Sequence, residues 1–324
     1  MKIAFPTQDF SVLRNKGLFL FSLICFHTIF GQKKISVDTI LMGSPFHIVV
    51  YHEDENYGKM AIHESIKEII RIENLISEWQ PHTPVSEINR SAGKRAIAVN
   101  NELFHLLVTA KKYSETSEGI FDITYAGMER IWKYDGSMTQ VPNPTQIKKA
   151  LEGVGNQYLQ LNESNKTVFL THPKTRISFG SIGKAYSVQK AIEVLERFGI
   201  ESALVNGSGD IMAIGNPPKK KAWTVGIFRP YKKRKYKKIH LKNETIVTSG
   251  NYEKFALIGN KKYGHIIHPK TGMPSTEVSS VSVKGKDAVI ANFLSTTLML
   301  TNAKERRRLQ KLFPDYTIWI QKRR

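Results

Sequence analysis

The chain is poor in cysteine, in acidic side chains and in long apolar runs, and each shortage excludes something. It holds one cysteine, Cys25, in 324 residues. No internal disulfide can form, and no zinc site can be built from thiolates. The apolar stretch 17–31 (GLFLFSLICFHTIFG) follows Arg14 and Lys16. It falls short of the about 20 apolar residues that a bilayer span requires. A basic start and a short apolar body form the pattern of a secretory signal peptide, expected over residues 1–31, although no Ala-x-Ala cleavage site is visible. Lipid modification of Cys25 is disfavoured, because Ile24 precedes it where a small residue is expected and Phe26 follows. The expectation is an exported protein, periplasmic or on the outer face of the cytoplasmic membrane.

Acidic residues number 28 against 48 Lys plus Arg, a formal net charge of +20. Such an excess favours anionic partners: nucleotides, acidic proteins, nucleic acid or anionic lipid. The densest cluster is the run 229–242 (RPYKKRKYKKIHLK), which opens on Arg229 and closes on Lys242. Interleaved tyrosines suit nucleic acid, but export argues against that partner. A solvated basic β-hairpin is expected, with contact to an acidic protein or a membrane surface as a secondary role.

Internal repeats and long low-complexity tracts are also missing. With 41% hydrophobic residues, the chain can bury a sizeable core, and 32–324 is expected to form one domain. Ile62, Ile66, Ile69, Ile70, Leu75 and Ile76 recur at helical spacing, predicting a helix over 58–78. A second helix is expected over 102–117, a third from about Ile182 to Phe198 with Gly199 as its stop, and a fourth over 288–301. Strands are expected at 40–51 (broken by a Gly-Ser-Pro turn), 168–171, 203–206, 223–228, 238–247 and 279–284. Residues 86–89 read as a loop or short turn, and 136–156 as a linker rich in Pro, Asn and Gly. Mixed strand–helix order with hairpins predicts an α+β fold, with mixed or antiparallel sheets and packed helices, rather than a doubly wound parallel sheet.

Three constellations carry chemistry. Gly180, Gly183 and Lys184 precede or open the third helix, although the GxxxxGK[ST] spacing of a P-loop is absent. A helix N-terminus of this kind presents unpaired amides to an anion, and Lys184 adds a cation; a purely structural turn explains the glycines equally well. His265 stands at a strand end beside the turn His268-Pro269. It suits either a general base tuned near neutral pH or a histidine satisfied by a neighbouring carbonyl. Asn292, Ser295 and Thr296 share one face of an otherwise apolar helix. Their oxygens could hold Mg²⁺ together with phosphate oxygens, or the hydroxyls could bond back to the preceding turn.

The order of these signals is more specific than any one of them. From about Ile40 to Leu300 the chain resembles the FAD:protein FMN transferases, the ApbE family. The matching segments are Met42-Gly43-Ser44, Trp79 with Ser86-Glu87-Ile88-Asn89, Gly119-Ile120-Phe121-Asp122-Ile123-Thr124, and the glycine turn with its helix. Asn206-Gly207-Ser208-Gly209-Asp210-Ile211, Thr248-Ser249-Gly250-Asn251-Tyr252, the His265 turn and Leu294-Ser295-Thr296 complete the series.

The resemblance implies an ApbE-like (T-fold-like) architecture and an exported enzyme. It would take FAD and Mg²⁺, attach FMN through a phosphoester to a threonine or serine of a partner flavoprotein, and release AMP. It places flavin contacts at Met42, Trp79, Ile120, Phe121, Asp122, Ser178, Lys184 and Ile267, with Trp79 stacking on a ring. It places the metal among the carbonyl of Ser181 and the oxygens of Asn292, Ser295 and Thr296, and it makes His265 the base. Members usually carry Asp at the positions of Asn292, Ser178 and His268, and Gly at that of Ala185. The coincidence of Asn292, Ser178 and His268 motivates one alternative, a flavin-binding protein with weakened or lost transferase activity. A further one is an FAD pyrophosphatase, which differs only in that water replaces the acceptor hydroxyl.

Overall fold

The computed structural model describes residues 31–228, 236–251 and 254–322. The signal-peptide expectation rests on 1–30 and the tip of the basic hairpin on 229–235; both lie outside the described residues. The chain runs through β1 (Lys33–Leu41), β2 (Ser44–His52), α1 (Glu55–Ile76), α2 (Pro84–Arg90), β3 (Ile97–Ala98) and α3 (Asn101–Thr116). Then come α4 (Pro144–Leu151), β4 (Leu159–Asn162), β5 (Thr167–Leu170), α5 (Ile182–Arg197), β6 (Ala203–Gly207) and β7 (Asp210–Ile214). Next are β8 (Trp223–Phe228), β9 (Tyr236–Leu241), β10 (Glu244–Gly250), β11 (Phe255–Ile258), β12 (Lys261–Gly264) and β13 (Val278–Gly285). The series ends with α6 (Ala288–Leu300), α7 (Ala303–Leu312) and β14 (Thr317–Lys322).

Seven strands form one sheet in the order β1-β2-β6-β7-β10-β13-β14, each pair antiparallel. Smaller sheets are β3-β5-β4, β8-β9 and β11-β12. This is the α+β architecture expected. Both faces of the large sheet are covered, and the two-residue period of its strands shows how. Ile48 and Val50 of β2, with Ala203 and Val205 of β6, pack with Ile62 and Ile69 of α1 and Val188, Ile192 and Leu195 of α5. Their neighbours Val49 and Leu204 point the other way, into Trp223, Ile227, Ile239 and Leu241 of the β8–β9 hairpin. Helix α6 packs on β10 and β13 and beside α5. Phe293 lies stacked on Tyr113 at 4.4 Å between ring centroids.

Local chemistry accounts for the departures from the predicted elements. Residues 86–89 belong to α2, because Thr83 caps it through the Ser86 N–H and Pro84 enters its first turn. The expected linker contains α4, opened by a reciprocal cap between Asn143 and Gln146. At 8 residues α4 is too short for its apolar positions Ile147, Ala150 and Leu151 to show a sustained helical period. The break in 40–51 falls at Met42-Gly43, both at positive φ, and Ser44 and Pro45 already belong to β2. The expected strand 238–247 is two strands: Asn243 at φ 53° turns the chain, β9 pairs with β8, and β10 joins the large sheet.

Candidate functional site

A cavity of about 330 Å³ opens where α5, α6 and the ends of β7 and β10 meet the 265–269 turn. Each wall is held by its own local chemistry. Ser178 Oγ accepts the Gly180 N–H at 3.1 Å, and the Ser178 N–H donates to the Ile123 carbonyl at 2.9 Å. These bonds fasten the glycine turn beside Ile120, Phe121 and Asp122. Ser181 begins α5 without a side-chain cap. The Gly183 N–H is taken by the Phe179 carbonyl at 2.8 Å, and Gly180, Ser181 and Lys184 line the cavity at this helix start, where an anion is favoured. A Cβ on Gly183 would lie 2.7 Å from Ile76 Cδ1; glycine lets this turn close against the end of α1.

The β6–β7 turn supplies the opposite wall. Ser208 and Gly209 both take positive φ, 55° and 100°, as a tight two-residue hairpin demands. Asn206 Oδ1 accepts the Gly209 N–H, and the Ser208 hydroxyl donates to the Pro45 carbonyl. Asp210 follows immediately, buried at the cavity wall. Its Oδ2 accepts from Asn292 Nδ2 at 3.4 Å. Burial pushes the Asp210 carboxyl up to about 7, while the nearby charge of Lys184 and the Asn292 amide draw it back.

Helix α6 starts on a cap from Asp287 Oδ1 to the Ile290 N–H, and its single polar face turns towards β10. Thr296 Oγ1 donates to Asn292 Oδ1 at 3.4 Å and lies 3.2 Å from Ser249 Oγ. The half-buried His265 places Nδ1 3.1 Å from the Lys254 carbonyl. That tautomer carries its proton on Nδ1 and leaves Nε2 able to take one. Burial holds the imidazole below its ordinary value, opposed by the bond to Lys254; the charges of Lys254 and Lys184 lower it further. Asp122 is raised by burial, against hydrogen bonds from the Thr124 N–H and hydroxyl. It also borders a second hollow of about 710 Å³, lined by Lys111, Gln157 and Lys270 among others.

Of the residues singled out in the sequence, Ile120, Phe121, Asp122, Ser181, Lys184, His265, Ile267, Asn292 and Thr296 share the first cavity. Four sit elsewhere. Met42 occupies the β1–β2 turn and donates its N–H to Glu73. Trp79 is 80% exposed in a loop whose carbonyls are held by Thr83 and Ser86. Ser178 lies buried under the glycine turn it braces. Ser295 is fully buried, bonded to Ser249 Oγ at 2.8 Å and to the Asn292 carbonyl. Asp210 and Ser249 complete the walls without having been picked as ligands, although both lie inside segments that carried the resemblance. A lone Asp after a glycine turn gives no signal of its own.

The candidate cation ligands lining this cavity are all oxygens: the Ser181 carbonyl, Thr296, the Asn292 amide and the Asp210 carboxylate. Such a set fits a hard cation that keeps water or phosphate oxygens in its shell. Lys184 and the α5 amides fit a pyrophosphate at the same place.

Comparison with known proteins gives a uniform result. The model of the ApbE family matches residues 42–318. An FAD:protein FMN transferase of Klebsiella pneumoniae is 27% identical over 266 residues, covering 81% of each chain. The solved ApbE protein of Thermotoga maritima superposes with a TM-score of 0.81 at 26% identity, over 90% of this chain and 94% of that one. The apo form of the Pseudomonas stutzeri flavinyl transferase ApbE gives 0.80 at 22% identity, over 91% and 93%.

Proposed function

The chain belongs to the ApbE family, and we propose that it is an exported, Mg²⁺-dependent FAD:protein FMN transferase. One observation carries this reading: an anion-binding helix start with Lys184, a neutral histidine and a face of oxygen donors line a single cavity. The α5 amides and Lys184 hold the pyrophosphate of FAD. The Ser181 carbonyl, Asn292 and Thr296 would hold Mg²⁺, which when bound would offset negative charge on the phosphate oxygens. His265 Nε2 accepts the proton of a threonine or serine hydroxyl on the partner flavoprotein. That hydroxyl oxygen forms a bond to the FMN phosphorus as the bond from phosphorus to the bridging oxygen breaks, and AMP leaves with that oxygen.

The test is the intact mass of an acceptor flavoprotein after incubation with the mature protein, FAD and Mg²⁺. A gain equal to one FMN is expected; an unmodified acceptor, across acceptors bearing the Thr/Ser site, rejects transfer. A second reading, a flavin carrier with little turnover, is favoured by the uncharged amide of Asn292. It predicts FAD binding without AMP release.

A further inference from the structure

We propose that Asp210 is the anionic ligand of the cation site, and that Asn292 positions this carboxylate. The inference rests on the Mg²⁺-dependent reading above. A small hard cation is usually anchored by one or two carboxylates together with phosphate oxygens. The donors on the α5 and α6 walls are neutral, and two carboxylates border the cavity, Asp122 and Asp210.

Asp122 is committed elsewhere. Its Oδ1 accepts both the Thr124 N–H at 2.8 Å and the Thr124 hydroxyl at 2.7 Å, within its own loop. Asp210 is joined to the oxygen donors directly. Its Oδ2 receives the Asn292 amide, whose Oδ1 in turn receives the Thr296 hydroxyl. These two bonds fix which end of the Asn292 amide faces which neighbour. The amide nitrogen is spent on orienting Asp210, so Asn292 acts first as a positioning residue, and the negative charge comes from the β6–β7 turn. Burying a carboxylate this completely without a full cationic partner is costly, and a cation bound beside it would remove that cost. Asp210 is placed for this by the tight turn at Ser208-Gly209, which is tied to Pro45 of β2.

The experiment is a Mn²⁺ titration of the mature protein followed by electron paramagnetic resonance of the free ion, with and without FAD. Asp210→Asn should weaken Mn²⁺ retention at least about tenfold, as losses at metal ligands and their supports do. Adding Asn292→Asp to Asp210→Asn moves the charge across the hydrogen bond and should recover most of that affinity. Circular dichroism and flavin fluorescence with FAD alone establish that both variants fold and bind. An unchanged Mn²⁺ affinity in Asp210→Asn overturns the assignment. So does a double variant that folds and binds FAD yet recovers nothing. The transfer reading is judged separately, by acceptor mass, and can fail while Mn²⁺ retention follows this pattern.

Discussion

At the scale of single residues, the proposed transfer depends on a neutral His265. Its Nδ1 is engaged by the Lys254 carbonyl and burial disfavours the charged ring. Lowering the pH through this depressed value protonates Nε2 and removes the base, so the rate falls on the acid side. The acid limb of kcat/KM for the acceptor should therefore lie below pH 6.5; a limb above it would mean that another group is the base. His265→Ala should cut transfer by about 10²- to 10⁴-fold, the usual share of a general base, with FAD affinity by flavin fluorescence nearly unchanged. Trp79→Ala addresses the exposed indole on its hydrogen-bonded loop. If it stacks on FAD at about 1 kcal/mol, the KM for FAD should rise about fivefold with kcat held. An unchanged KM would leave Trp79 outside the flavin site.

Residues also show where sequence reading reaches its limit. Chemistry and flanking turns alone left Lys184 and His265 open to a structural reading; the resemblance singled them out, and both line the same cavity. Asp210 was not singled out, because its significance comes from a neighbour 82 positions away in sequence, Asn292. The unusual His268 has a structural explanation: its Nδ1 accepts the Lys270 N–H, a role that an aspartate carboxylate fills in the same kind of turn.

At the scale of elements, α5 and α6 set the site, and their ends matter more than their middles. The predicted limits of α5 agree with the observed helix because the glycine turn opens it and Gly199, at φ 68°, stops it. The predicted α6 agrees because its apolar body is long. The short, cap-defined α2 and α4 were not legible, since at 7 and 8 residues neither is long enough to show a sustained helical period. Helix α6 depends on Asp287 for its cap. Asp287→Ala should lower unfolding stability by about 1 kcal/mol, read as a reduced urea midpoint with unchanged slope. No loss would show that the α6 start is held by packing alone.

At the scale of the whole molecule, the central strands of the antiparallel sheet are buried on both faces while the edge strands β1 and β14 are partly exposed. The candidate site lies at the β6–β7 and β10 ends beside α5 and α6. That arrangement was only partly legible: alternation showed strands, but not that β8–β9 would cover the face opposite the helices. Among the described residues no helix is long and apolar enough to cross a membrane. The positive net charge, +20 over the full chain, would attract an acidic acceptor surface over distance. Raising ionic strength from about 0.01 to 0.15 M shortens the screening length from about 30 to 8 Å. It should lower kcat/KM for such an acceptor while leaving kcat unchanged; an insensitive kcat/KM would show that charge does not steer the encounter. The central claim is transfer of FMN to a protein hydroxyl, and its most direct test is the ratio of AMP released to flavinylated acceptor formed over a time course. The account predicts equal amounts throughout, with adduct formation lost in His265→Ala; AMP accumulating with free FMN and no adduct would contradict it.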